Sequence, residues 1–418
     1  MVAVFALAAK LIAAAKEIAI AWRYGVSEIV DAYLFVFNFL LLPVTVWFGV
    51  LTVVYIPLAA KLRSQRSSGL HELRSELLGA AIVTGIGLAL VAAGALLAFF
   101  ASSWSGFPEE ARRVSLEITP WMAVLIPLGL ATHWGSVQMM SESRHGNTFY
   151  EGIPALVLLV TVVAAPMSGA WPLVWGSVAG AALHLLVTLA ATERGARIER
   201  PRFSMRSPLW KPFWAGAALV LLGQLLQNLT GIVDQLFAAR LGEGSVSILG
   251  YVSRVLSLIL SLGAMAVARA ALPIFSRMQA EGGNRLRRVA CRWAVILFAG
   301  GAAVLLVSWP ASEWAIRLLF ERGAFDSADT AMVAEIFRYS LVQVPFYFAS
   351  IVLVYAVLSR GDYAAVTGLG AVNLVAKVGA SLLLVPAFGL AGLMFSTALV
   401  YALSCALAWH LLARRGKR

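Results

Sequence analysis

Twelve apolar runs, each long enough to cross the roughly 30 Å hydrocarbon core of a bilayer, dominate this sequence. Six lie at about 2–22, 31–59, 75–102, 114–140, 147–167 and 171–191. A second six lie at about 209–239, 245–275, 289–310, 329–357, 363–387 and 389–412. Only 13% of the 418 residues are charged, against about 25% in a soluble domain, and the mean hydropathy is +0.84. The expected fold is an all-α integral membrane protein of about 12 transmembrane helices.

A net charge of +12 would suit nucleic acid if it were gathered on one soluble surface. Here the Lys and Arg sit in short loops between apolar runs, a pattern that sets topology, so the expected partners are membrane lipids and not nucleic acid. With the N-terminus inside, the inner segments carry 21 Lys and Arg and the outer segments six. The largest inner groups are the 194–211 segment and the 277–292 loop. This predicts a multi-pass protein with both termini in the cytoplasm. No cleavable leader is expected, because the first apolar run passes into a helix with no small-residue cleavage site. Cys291 and Cys405 have neither metal-ligand nor redox spacing and are expected to be packing residues.

The chain also repeats. "AWRYG" (21–25) corresponds to "AARLG" (238–242), "IPLAAKL" (56–62) to "LPIFSRM" (272–278), and "SRHGNTF" (143–149) to "SRGDYAA" (359–365). These pairings place Pro57 on Pro273 and Lys61 on Arg277. Six helices per repeat give both halves the same orientation. The expected division is an N-lobe at 1–192, a cytoplasmic linker at 193–210 and a C-lobe at 211–418, surrounding a central cavity. That is a transporter architecture.

Polar residues recur at helical spacing on particular spans. Span two carries Asp31, Asn38, Thr45 and Thr52. Span seven carries Gln224, Asn228, Gly231 and Asp234/Gln235. Span eight, "GSVSILGYVSRVLSLILSLGA" (244–264), places Ser247, Arg254, Ser257 and Ser261 on one side. Span eleven has Asn373, Lys377 and Ser381, and span one has Lys10 and Glu17 with Lys16 beside them. The Ser, Thr and Asn members suit either interhelical hydrogen bonding or a cavity wall. Lys10, Lys16, Asp31, Asp234, Arg254 and Lys377 call for a hydrated cavity or an ion pair, because an isolated charge in lipid is costly. The surplus of cations points to an anionic cargo such as a pyrophosphate. Glu335 and Arg338, one turn apart, are expected to pair. His133 and His184 are expected in the core, Arg269 snorkels, and Pro345 kinks span ten.

Three segments carry a family resemblance. "GSVSILGYVSRVLSL" followed by "ALPIFSRM", "LFERGAFDSADTAM" (319–332), and "LSRGDYAAVTGLGAVNLVAKVGASLLLVPAFGLAGL" (358–393) resemble the MurJ/MviN lipid II flippases. Their superfamily also includes the MATE multidrug exporters. The resemblance covers nearly the whole chain and is strongest over about 230–412. It implies rocking lobes that move an undecaprenyl-pyrophosphate-linked saccharide, with no catalysis and no cofactor. The partner it implies is a lipid-linked anionic saccharide. On this resemblance, Lys10 and Lys16 match two first-helix arginines, and Asp31, Ser247 and Arg254 match an aspartate, a serine and an arginine. Arg254 is then the residue that grips pyrophosphate. A helix-two cavity arginine falls at Val44, acidic partners of the eighth-helix arginine fall at Ser253 and Ser257, and a Glu-Gly pair falls at Phe48-Gly49. The family commonly has fourteen spans. A sodium site in some members, formed by an Asp on helix seven and an Asn-x-x-x-Asp pair on helix eleven, matches Asp234, Asn373 and Lys377. Lys377 is therefore expected to pair with Asp234 and replace the ion. The competing readings are a MATE-like exporter, which would want acidic cavity residues, and a non-transporting membrane paralogue.

Overall fold

A computed structural model describes residues 2–64, 69–102, 105–142, 144, 147–193, 200–280 and 283–414. Arg66, the 194–199 part of the linker and the tail 415–418 lie outside these residues, as do the side chains of Arg269 and Arg277. The described residues are almost wholly helical and contain no β-strand. In chain order the helices are α1 (Val2–Tyr24), α2 (Glu28–Val50), α3 (Ile56–Ser64), α4 (Gly69–Ala101), α5 (Glu109–Met122), α6 (Leu125–Ser141), α7 (Asn147–Tyr150) and α8 (Ile153–Ala164). They continue as α9 (Trp171–Glu193), α10 (Trp210–Ala239), α11 (Ser245–Ala280), α12 (Gly283–Phe320), α13 (Ser327–Leu341), α14 (Gln343–Ser359), α15 (Tyr363–Phe388) and α16 (Leu390–Arg414). A single π-helical turn, Leu51–Tyr55, joins α2 to α3.

Every predicted apolar run is mainly helical, although the 114–140 run is interrupted at Ala123–Val124 and the 147–167 run at Glu151–Gly152, with its helix ending at Ala164. Among the described residues, seven helices are long and apolar enough to cross a membrane, and two bent pairs add a span each; Ile153–Ala164 and Ser245–Ser261 are shorter apolar helices. Large apolar side chains stand outward, Leu383 being 78% exposed and Leu306 73%. In water these would form adhesive patches; in lipid they are the solvated face. The chain is an all-α, multi-pass membrane protein.

Contacts divide it into two compact units. One comprises residues 1–228 with 322–324, and the other residues 229–321 with 325–418. The division falls inside α10, so the first part of that helix belongs to the first unit. Trp210, Phe213 and Ala217 lie in the first unit's core with Tyr55, Leu73, Leu77 and Trp134.

The internal repeat reappears as matched helix breaks. In the first unit α5 and α6 meet at a 46° bend, and in the second α13 and α14 meet at 40°. Pro127 is the third residue of α6 and Pro345 the third of α14. A proline there has no N–H for the carbonyl one turn back and its ring crowds that carbonyl, so the span bends. Each break also packs against a glycine of an earlier span. A Cβ on Gly85 would stand 2.9 Å from Pro127 Cα, and one on Gly301 2.7 Å from Pro345 Cα.

One expected pair does not form. Arg338 reaches Glu313 at 3.3 Å instead of Glu335, and Glu313 is shared with Arg317 at 3.1 Å. The bend between α13 and α14 leaves Arg338 in the last turn of α13, beside α12, where Glu313 offers the nearer carboxylate.

Candidate functional site

The most concentrated polar arrangement in the second unit surrounds Lys377, and a tight helical hairpin builds it. The Asp362 carboxylate caps α15 by accepting from the Ala365 N–H at 3.3 Å. The helix ends at Gly389 with φ 56°, a left-handed conformation that glycine alone adopts without strain. The chain then turns back into α16. Gly392 permits close packing there, since a Cβ would collide with the Leu384 carbonyl.

That hairpin lays Lys377, 2% exposed, against α16. Its ammonium donates to the Leu393 carbonyl at 3.1 Å, Ser396 Oγ at 2.8 Å and Thr397 Oγ1 at 2.5 Å. From α10, Asp234 Oδ1 approaches the same nitrogen at 2.6 Å. Both hydroxyls give their own protons to the Leu393 carbonyl, at 2.8 and 3.0 Å, so their lone pairs are free to face the ammonium. Ser381 donates to Ser396 at 3.2 Å. One turn before Lys377, Asn373 Oδ1 accepts from Ser404 at 2.9 Å. Charge and hydrogen bonds thus compensate a lysine that would otherwise bear the full cost of burial.

These oxygens are the donor set a hard monovalent cation would want, but the ammonium already stands among them. A resident sodium does not fit beside it, by both volume and charge. Among the described residues there is also no group of three or more His, Cys, Asp or Glu able to hold a metal ion.

Elsewhere in the second unit, Ser247 is fully buried at the start of α11 and donates to the Gly244 carbonyl at 3.0 Å. Tyr251, Val252, Val255 and Leu256 bury one face of α11. Arg254 and Ser257 stand on the exposed side of that helix, and Ser257 donates to the Arg254 carbonyl at 2.8 Å.

In the first unit Lys16 pairs with its neighbour Glu17 at 2.7 Å, which offsets much of its charge locally, while Lys10 is exposed on α1. Asp31 is buried, 1% exposed, in the first turn of α2. Asn38 is half-buried two turns on. Thr45 is exposed; its hydroxyl donates to the Leu42 carbonyl at 2.9 Å and lies 3.5 Å from Asn228 Oδ1. Val44 is a packed residue, 2% exposed, with its methyl groups filling the space above Gly129. Phe48 lies edge-on to His133 at 4.7 Å, and His133 Nδ1 is 2.8 Å from the Gly129 carbonyl. The positions of the resemblance's arginine and glutamate are therefore core packing here. His184 is buried as expected, and His133 is half-buried, packed edge-on against Phe48.

Sequence periodicity did not identify Ser396 and Thr397, although Ser396 and Ser404 share a face of α16 at i, i+8. It also missed Glu76, 1% exposed. This carboxylate accepts from Ser204 Oγ at 2.6 Å, the Arg206 and Ser207 amides at 3.0 and 3.1 Å, and the Trp210 indole at 2.6 Å. The Arg202 amide adds a bond to the Ser75 carbonyl at 2.9 Å. The end of the linker and the start of α10 are thus fastened to α4.

A family model described as lipid II flippase MurJ matches residues 20–418. A protein of Bdellovibrio bacteriovorus named as a probable lipid II flippase MurJ is 27% identical over 274 residues, covering 62% of this chain and 51% of that protein. A lipid II flippase MurJ of Burkholderia cenocepacia is 22% identical over 355 residues, covering 79% and 66%. The chain spans about half the length of the first of these relatives. Among solved structures, a lipid II flippase MurJ in an inward closed conformation superposes with a TM-score of 0.84 at 15% identity, covering 99% of this chain and 87% of that one. An inward-facing MATE family multidrug resistance transporter gives 0.80 at 14% identity, covering 98% and 94%. Both likenesses concern the fold.

Proposed function

This chain belongs to the lipid II flippase MurJ family, and on that premise we propose that it moves a polyprenyl-pyrophosphate-linked saccharide across the bacterial cytoplasmic membrane by alternating access. The observation that carries the proposal is the family match, which runs through residues 20–418. Lipid II or a related cell-envelope glycan precursor is the cargo, and transport requires no catalysis and no cofactor. The N-lobe and the C-lobe are the moving bodies, with residues up to 228 travelling with the N-lobe on which they pack, and both termini lie inside. Arg254 grips the pyrophosphate, since a guanidinium offers paired donors to phosphate oxygens. Lys10, Lys16, Asp31, Asn38, Ser247 and Ser257 complete the cargo contacts. Asp234, Asn373 and Lys377 are the coupling site, in which the tethered ammonium takes the part an exchangeable cation would play, making transport independent of sodium.

Likeness to the MATE fold favours one other reading, export of cationic drugs. The sign of the charge opposes it, because Lys10, Lys16 and Arg254 would repel such a cargo.

The test is rescue of cells depleted of their lipid II flippase. Wild type should restore growth and Arg254→Ala should not, with both present in the membrane at equal levels. Failure of a membrane-inserted wild type would remove lipid II as cargo and leave another polyprenyl-linked glycan or a non-transporting paralogue. Rescue by both would assign Arg254 a structural part.

A further inference from the structure

Helix α2 and the first part of α10 belong to the same unit, and a polar seam runs between them. Gly49 has no side chain, and the Gln224 carboxamide takes the space: a Cβ there would stand 2.7 Å from Gln224 Cδ and Nε2. One turn along each helix, Thr45 Oγ1 lies 3.5 Å from Asn228 Oδ1. Asn38 continues the same face of α2 two turns on, so the seam extends about 16 Å at about 1.5 Å per residue. Neither 38–49 nor 216–228 contains a charged residue.

The chemistry of the seam is set by where its protons already go. Asn228 Nδ2 donates to the Gln224 carbonyl at 2.8 Å, which turns Oδ1 toward Thr45. The Thr45 hydroxyl gives its proton to the Leu42 carbonyl at 2.9 Å. Two acceptor oxygens therefore face each other with no proton between them, a pairing that calls for a donor from outside. Among the described residues the carboxamides of Asn38 and Gln224, both half-buried, have no hydrogen-bond partner. Such groups do not face lipid, where an unpaired amide is costly.

Resting on the transport reading above, we infer that this seam reads the saccharide of the cargo, with Thr45, Gln224 and Asn228 as specificity-determining residues. Sugar hydroxyls and acetamido N–H groups supply the donor that the oxygen pair lacks, and a carboxamide both gives and accepts hydrogen bonds. A pyrophosphate at neutral pH offers acceptors alone, so it gains nothing from these oxygens. A cargo without the sugar leaves the seam's polar groups unpaired, which is how such a site discriminates.

Purified protein in nanodiscs would be titrated with undecaprenyl pyrophosphate bearing either no sugar or an N-acetylated disaccharide without peptide. The disaccharide should tighten binding to wild type about tenfold. Gln224→Leu/Asn228→Leu should bring the two affinities together by weakening the sugar-bearing lipid alone. Thr45→Val keeps the shape of the side chain and removes one acceptor. It should lose part of the preference, and it decides the matter if the double variant does not fold. Arg254→Ala should weaken both lipids and keep their ratio. Equal affinities in wild type, or a double variant that weakens both lipids alike, would overturn the seam and leave the pyrophosphate grip standing. Binding of neither lipid by a folded wild type would remove the cargo reading, and this inference with it.

Discussion

Lys377 and Asp234 meet at 2.6 Å across α15 and α10, and three oxygens of α16 complete the shell around the ammonium. An ion pair of this kind contributes little net stability against an apolar replacement of both partners, but removal of one partner is costly, about 3–5 kcal/mol. Lys377→Ala should therefore destabilise the protein strongly, and Asp234→Asn/Lys377→Met should recover much of the loss. Thermal unfolding in detergent measures both.

The same cage predicts a gain of ion dependence. Lys377→Ala leaves a carboxylate and three further oxygens around a space the size of an ammonium, so sodium should raise its unfolding temperature relative to choline. Wild type should melt identically in the two salts. A sodium response in wild type that is abolished by Asp234→Asn would show that the ammonium does not replace the ion.

Glu76 holds four donors at the linker end of α10. Hydrogen bonds to a charged group contribute about 1.5–3 kcal/mol each, and the four act as a unit. Glu76→Ala should cost about 3 kcal/mol or more and accelerate proteolysis within residues 200–209, with Glu76→Gln intermediate. Limited proteolysis of the full chain reads the outcome. Unchanged cleavage in Glu76→Ala would mean that packing of Trp210 alone holds the segment.

Gly85→Ala and Gly301→Ala should behave alike. Each added methyl meets the backbone of a proline break, and overpacking of this type costs about 1–3 kcal/mol. Comparable drops in unfolding temperature would reflect the internal repeat. A large effect in one unit and none in the other would show that only one break is tightly packed.

Arg23 closes the end of α8. Its guanidinium donates to the carbonyls of Val162 at 2.5 Å, Ala165 at 3.1 Å and Met167 at 2.5 Å. Lysine cannot reproduce that fork. Arg23→Lys should lose about 1–2 kcal/mol and Arg23→Ala more, measured as faster amide exchange over residues 162–167.

Spans and their order follow from the sequence alone, because a chain in lipid must form helices wherever about twenty apolar residues run together. The bend at Pro345 is legible in the same way, since a missing N–H acts locally. The resemblance put Lys377 in the place of an acid, and repulsion from sodium followed from charge. Other features belong to tertiary structure. Helical periodicity says which residues share a face, but not which helix that face meets. Arg338 therefore chooses Glu313 over Glu335, Val44 becomes core above Gly129, and Glu76 is buried among donors from a distant segment. Ser396 and Thr397 become ligands of an ammonium only because a left-handed glycine at 389 folds α16 onto α15.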